Sequence, residues 1–241
     1  MRETAASAFD VVELRRYRTN PGKRDALIAL FDREFTENQE ACGIVPIGHY
    51  RNLDDPDSFV WFRGFARYEA RRQALESFYQ GSQTWKDHRA EANDAIAESD
   101  DALLLRDARP HSGFDLAGLV RPTGTATRVT QFVGVAVLML GVPPGDALVT
   151  AFENELLPRL REHARRNAYF VTDPRPNEYP QQPVRAGEHA FVAAGVCGDR
   201  EALERWIEIF ATANLPMELR AATRCCEILR LVPAARTLYG N

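Results

Sequence analysis

Glu13, Arg15 and Tyr17 alternate along a run near the start of the chain, Phe59, Trp61 and Arg63 alternate along another, and His49 and Arg51 along a third. Side chains two apart on a strand share a face, so each set is predicted to project together. A carboxylate, guanidinium groups, an imidazole and aromatic rings turned to one side can orient a polar ligand and move a proton. Glu13, Arg15, Arg51 and Arg63 are the expected polar positioners, with His49 beside them and Trp61 as a wall. Trp85, His88, Arg89 and Ala92 stand at i, i+3, i+4 and i+7, one face of a helix. That spacing turns His88 toward the sheet as the expected catalytic acid or base. Tyr17, Tyr50, Trp61, Tyr79 and Trp85 would line a pocket for a flat ligand, although aromatic residues at these spacings are core material first. Burying an unpaired charge costs several kcal/mol. The ionisable set therefore either pairs internally as a structural network or serves a polar ligand, and the residues alone leave both open.

Other chemistries have no support. The glycines are scattered, without G-x-G-x-x-G or a Walker pattern, and there is no G-x-S-x-G or H-E-x-x-H, which argues against nucleotide cofactors, serine nucleophiles and a zinc helix. Cys42, Cys197, Cys225 and Cys226 form no C-x-x-C pair, so no metal is expected. Cys197, Cys225 and Cys226 read as small core residues, with Cys42 the one nearest solvent. A net charge of −4 and a pI near 5.8 offer no broad attraction for nucleic acid or an anionic membrane. The longest apolar run, Phe132 to Val142, is about half the roughly 20 residues of a spanning helix. Residues 1–8 lack an apolar signal segment, so a short arm and a cytoplasmic protein are expected.

The elements that position these residues occur twice. Pro21-Gly22 leading to Asp25-Ala26-Leu27, Phe31, Glu34 and Phe35 returns as Pro144-Gly145-Asp146-Ala147-Leu148, Phe152, Glu155 and Leu156, with Asp25 and Asp146 121 residues apart. The same offset carries Glu13, Arg15 and Tyr17 onto Gly134, Ala136 and Leu138. Less directly, because hairpin lengths differ, His49 and Arg51 fall against Ala168 and Phe170, and Trp61 and Arg63 against Val192 and Ala194. The repeat is symmetric in architecture and lopsided in chemistry, with the ionisable residues in the first copy. Each copy reads β-α-β-β-α-β, the ferredoxin-like order. The fold class is therefore α+β: a first repeat at 10–107, a linker at 108–127, and a second, diverged repeat at 128–235. Their bare sheet faces would close on each other as a pseudo-dimeric α/β barrel. The repeat can complete the barrel within one chain, and a further homodimer through outer edges or helices stays open. Asp54-Asp55-Pro56-Asp57 reads as a turn rather than a calcium loop. Pro158 is expected to kink its helix. Residues 174–187, rich in proline, read as a long hairpin loop or as a lid with Asn177 and Arg185 as polar contacts.

Glu13-Leu14-Arg15-Arg16-Tyr17 with Pro21-Gly22, Asp54 through Phe65, and Trp85-Lys86-Asp87-His88-Arg89 through Leu103-Leu104-Leu105-Arg106 together resemble the NIPSNAP family. Asn177-Glu178-Tyr179-Pro180 with Pro183 through Glu188 is similar to the matching loop of tandem bacterial members. The second half departs in lacking Trp-x-x-His on its last helix. The resemblance implies a dimeric α/β barrel, with relatives among cofactor-free monooxygenases of polyketide pathways and haem-binding enzymes. The function implied is small-molecule binding, either by a cofactor-independent tailoring oxygenase or cyclase acting on an aromatic substrate, or by a non-catalytic ligand-binding or scaffold protein. A third option is haem held by a helical histidine; otherwise no cofactor is expected.

Overall fold

A computed structural model describes residues 9–123 and 131–240. The expected N-terminal arm, the linker residues 124–127 and the start of the second repeat at 128–130 lie outside the described residues.

The first half runs β1 (Val11–Thr19), α1 (Arg24–Leu30), α2 (Thr36–Ala41), β2 (Val45–Asn52), β3 (Ser58–Phe65), α3 (Tyr68–Glu76), α4 (Gln83–Ala95), β4 (Ile96–Glu98) and β5 (Ala102–Asp107). The second runs β6 (Phe132–Leu140), α5 (Asp146–Ala151), α6 (Leu157–Arg161), β7 (Ala164–Thr172), β8 (Ala190–Cys197), α7 (Arg200–Glu208), α8 (Met217–Ala222) and β9 (Thr223–Pro233). The sheet order is β3-β2-β9-β6-β8-β7-β5-β1, and β1 pairs back onto β3. Eight antiparallel strands thus form a closed barrel, with β4 an extra pairing on the end of β1. Closure leaves no open edge among these eight. No helix of the described residues is long and apolar enough to cross a membrane.

Alternation along the strands sorts the core into layers. Val12, Leu14, Val60 and Phe62 join Val133, Val135, Val137, Val192 and Leu231 inside the barrel. Tyr50 belongs there too, donating to the Tyr239 carbonyl (2.6 Å). The expected place for Tyr50 in an aromatic pocket is therefore corrected: it lies on the opposite face from His49. Phe114, in the stretch expected to be a tether, packs against Phe62, Phe170 and Tyr239 at ring separations of 4.5–5.0 Å, so the connection contributes to the barrel core. The outer faces of the strands form two further cores against helices, one in each half.

The first helix of each half carries a π turn, Phe31–Phe35 and Phe152–Leu156. The two turns sit at the same offset as the sequence repeat. Pro158 follows the second but no proline follows the first, so the proline is not the cause of the distortion. One exposure expectation also changes: Cys225, read as core, is exposed on β9.

Trp206 shows how the second half fills its sheet–helix layer. It is fully buried on α7, its Nε1 donates to Asn167 Oδ1 (3.0 Å), and it lies on Gly134 and Gly195. A Cβ at Gly134 would stand 2.6 Å from Trp206 Cε3. Gly134→Ala is therefore expected to cost about 1–3 kcal/mol by overpacking, read as a lower urea midpoint; an unchanged midpoint would mean the ring shifts freely.

Candidate functional site

Three antiparallel strands write the site across the helix-facing side of the first half. β1 against β3 sets Glu13 opposite Arg63, Arg15 opposite Trp61 and Tyr17 opposite Phe59; β2 against β3 sets His49 opposite Trp61 and Arg51 opposite Phe59. His49, Trp61 and Arg15 thus form one row, and Arg63 and Glu13 part of the next.

Glu13, Arg15 and Arg63 are fully buried and Arg71, on α3, nearly so. Glu13 is the common partner. Its Oε2 accepts from Arg15 Nη1 (2.8 Å) and Arg63 Nε (2.9 Å), and its Oε1 from Arg71 Nε (2.7 Å). Arg63 Nη2 lies 2.7 Å from Glu13 Oε2, inside ion-pair range but off the hydrogen-bond direction. Arg71 Nη2 finds no partner among the described residues. Burial pushes the Glu13 carboxyl up, but Arg63, then Arg71 and Arg15, outweigh it and hold the group far below its ordinary value near 4.5. The cluster remains ionised and carries three guanidinium groups on one carboxylate. Neutral oxygens complete it: Tyr17 Oη accepts from Arg15 Nε (3.0 Å), Tyr79 Oη from Arg63 Nη1 (3.1 Å), and the Ser99 and Pro183 carbonyls from Arg15 Nη2 (3.0 and 3.3 Å). Burial, opposed by Arg63, pushes the Tyr79 phenol up to about 12, so it is protonated at neutral pH and its O–H is a donor.

On the other side of Trp61, His49 is buried with its Nδ1 3.0 Å from Asp32 Oδ1. Asp32 is itself buried in the first π turn. If Nδ1 carries the hydrogen toward this carboxylate, Nε2 is the acceptor of a neutral imidazole. That Nε2 has no hydrogen-bond partner among the described residues, and neither does the buried Trp61 Nε1. The imidazole is enclosed by Phe31, Phe59 and Trp61 at ring separations of 5.4, 5.8 and 6.1 Å. In that tautomer an acceptor and a donor stand unsatisfied on two register partners of one row. A buried polar atom left unpaired costs about 1–3 kcal/mol, a cost that a ligand bearing a hydroxyl or enol would relieve.

The second half provides an internal control. Its registers set Gly134 opposite Gly195, Ala136 opposite Ala193, and Tyr169 opposite Ala193. Trp61 and Arg63 therefore correspond to Ala193 and Gly195, and His49 and Arg51 to Tyr169 and Val171. Each is one residue from the expected match; the slip is already present at His49, before the hairpin, so it arises ahead of β2 and β7, and a one-residue slip changes the face. α3 and α7 start equally far after β3 and β8, which places Leu203 where Arg71 stands and Trp206 where Ala74 stands. The charged set is thus replaced by two glycines, an alanine and a leucine under a tryptophan. Glu153, the counterpart of Asp32, accepts from Tyr169 Oη (2.6 Å). Burial and this carboxylate raise the Tyr169 phenol. A carboxylate-to-ring pair is thus common to both halves, but only the first exposes a spare ring nitrogen to the layer.

The remaining expected residues lie outside this cluster. Arg51 reaches outward to Asp25 (2.8 Å). Trp85 is half-buried against Phe35, Phe78 and Tyr79. His88 is not brought to the cluster: about a third of its side chain is exposed, and its two ring nitrogens stand 3.6 and 3.7 Å from Glu34 and Glu91. The helix buries Ala92 and Ala95 instead. A haem held by the helical histidine does not fit His88, both of whose ring nitrogens stand beside carboxylates. Sequence reading missed Asp32 and Arg71. Arg71 lies among the alternating charges of a helix with nothing to mark it. Asp32 was detectable beside its repeat partner Glu153.

The loop after β7 closes the site from the second half. Asn177 Oδ1 accepts from Arg71 Nη1 (2.9 Å), Tyr179 stacks on Tyr79 (6.3 Å, 20° between planes), and Tyr179 is buried in the first-half core. The sequence repeat is therefore structurally crossed: one half supplies the ionisable cluster, and the other supplies its cover.

Residues 12–107 match the NIPSNAP family model. No curated protein matches the chain. Among solved structures, the fold resembles that of a candidate monooxygenase from Fusobacterium nucleatum (8% identity, TM-score 0.61, covering 97% of this chain and 96% of that one). It also resembles a candidate monooxygenase from Lactobacillus acidophilus (10%, 0.53, 94% and 96%) and an anthrone oxidase-like protein (13%, 0.57, 97% and 96%). These likenesses span both halves and concern the fold.

Proposed function

The first half of the chain is a NIPSNAP domain, and on that premise we propose that the protein is a cofactor-independent oxygenase that tailors an aromatic, polyketide-like small molecule between the first-half sheet and its helices. In this reading the molecule comprises two ferredoxin-like repeats in a pseudo-dimeric barrel, of which one is catalytic. The observation that carries the proposal is the pair of buried, unsatisfied atoms on two register partners, His49 Nε2 and Trp61 Nε1. They are flanked by a carboxylate behind the imidazole and by the Glu13 cluster. His49, oriented by Asp32, takes a proton from an acidic C–H or phenolic O–H of the substrate. The resulting anion is stabilised by Trp61 Nε1–H and the nearby guanidinium groups. The electron-rich carbanion gives electrons to dioxygen; for a methylene flanked by aromatic rings, loss of water from the hydroperoxide leaves a ketone, with one O2 consumed and one H2O released. The resemblance to an anthrone oxidase-like fold supports this choice of substrate class.

The test is oxygen uptake with a panel of hydroxyanthrones. Uptake well above the buffer rate, one O2 per ketone formed, is the expected outcome; rates equal to buffer across the panel would sink the proposal. A second reading, a non-catalytic ligand-binding or scaffold protein, is favoured by the way Glu13 ties Arg15, Arg63 and Arg71 into one structural unit. It predicts ligand binding, or none, without oxygen consumption.

A further inference from the structure

A cavity of about 440 Å³ lies where the two halves meet. Its floor includes Leu104 on β5, and its walls Pro143, Pro144, Pro176 and Val184 of the second half. Leu104 pairs directly with Glu13 across the sheet, so the cavity floor adjoins the first-half cluster in the same row. Asn177 lines this cavity while its Oδ1 accepts from Arg71 Nη1. It is therefore the partition between this mixed, proline-lined chamber and a buried guanidinium that still has an unpartnered Nη2.

Charge favours one kind of guest. Of the cations on the cavity wall, Arg175 is paired with Asp173 and Asp10, and Arg185 with Glu188 and Asp101. Arg106 donates to the Asp107 carbonyl (3.4 Å). Behind the partition, three guanidinium groups share the single Glu13 carboxylate. Asn177 meets this excess with a neutral amide oxygen, where a carboxylate would form a charge-assisted and bidentate contact.

We propose that this cavity binds the apolar body of an aromatic carboxylic acid, with the carboxylate replacing the Asn177 amide at Arg71. This site lies apart from the His49 row, goes beyond the oxygenase reading, and needs only that Arg71 be reached from the cavity through the Asn177 position. The volume lies in the range typical of small-molecule pockets, roughly 300–1,000 Å³, and the proline walls fit a rigid ring system.

Calorimetric titration of the full chain with 2-naphthoate and with neutral 2-naphthalenemethanol tests it. The naphthoate is expected to bind at least tenfold more tightly than the alcohol. Asn177→Asp, which installs a carboxylate at the partition, is expected to weaken naphthoate at least tenfold. Val184→Trp, which fills the chamber without touching the cluster, is expected to weaken both probes. Equal affinities for acid and alcohol, no binding of either, or naphthoate affinity unaffected by Asn177→Asp would overturn the proposal. Because no turnover is measured, naphthoate binding that Asn177→Asp abolishes, in a protein that never consumes oxygen, would refute the oxygenase reading while leaving this site standing.

Discussion

Glu13→Gln is expected to leave the protein unfolded or insoluble at neutral pH. Breaking one buried ion pair by removing one partner costs about 3–5 kcal/mol, and Glu13 is the partner of three guanidinium groups at once. The loss is therefore expected at or above about 5 kcal/mol, comparable with the whole stability of many domains. The second half indicates how to reverse it. Installing its residues at the matching positions, Glu13→Gly, Arg15→Ala, Arg63→Gly and Arg71→Leu with Ala74→Trp, removes the charges together and supplies a ring in their place. This variant is expected to regain a cooperative urea transition that the single substitution lacks, because an apolar replacement of a buried ionic set is often neutral or stabilising. A well-folded Glu13→Gln protein, seen by circular dichroism and an unshifted urea midpoint, would show that water reaches the arginines. The pH dependence follows from the same carboxylate. Its folded-state pKa is lowered, so its contribution is fully present above its ordinary value near 4.5 and is lost as the pH falls below that toward the folded value.

The largest expected effect on activity is at His49. His49→Gln keeps an amide able to face Asp32 but removes the basic nitrogen, and turnover of the hydroxyanthrone is expected to fall by about 10²–10⁴, the usual weight of general acid–base catalysis. His88→Ala is expected to change turnover less than threefold, since His88 stands between two surface carboxylates. Steady-state oxygen uptake by both variants decides between the histidines, with urea midpoints separating catalytic from structural loss. A His88→Ala enzyme that is the impaired one would move the acid–base role to the helix.

The strand rows were legible because period-two alternation is local: Glu13, Arg15 and Tyr17 needed only an extended backbone to share a face. The lopsided repeat was legible for the same reason in β1, where no hairpin intervenes before the anchoring Pro-Gly. It failed by one residue at His49, Arg51, Trp61 and Arg63 alike, because the slip arises in the helix-to-strand connection ahead of β2, whose length composition does not fix. His88 shows the limit of helical spacing. Trp85, His88 and Ala92 do share a face, but burial is complete only toward the end of α4, where the small residues Ala92 and Ala95 meet the core, and the imidazole remains at the margin. Asp32 shares an ideal helical face with Ile28, Phe31 and Phe35, so spacing does turn it inward; what spacing alone could not tell is that its carboxylate meets His49 on a neighbouring strand. The cover from the second half was only half legible: the proline-rich loop could be seen, but its docking on Tyr79 and Arg71 is a contact between residues about 100 apart, set by barrel closure.

That cover has a kinetic consequence. In an assembly built from separate chains, a cap contributed by a neighbour is present only while the neighbour is bound, so the fraction of closed sites falls on dilution. Here Asn177 and Tyr179 are tethered to the cluster they cover through the same polypeptide, and the local concentration of the cap is set by chain geometry rather than by the amount of protein. Rate per molecule should accordingly stay constant as the protein is diluted, with closure a first-order event.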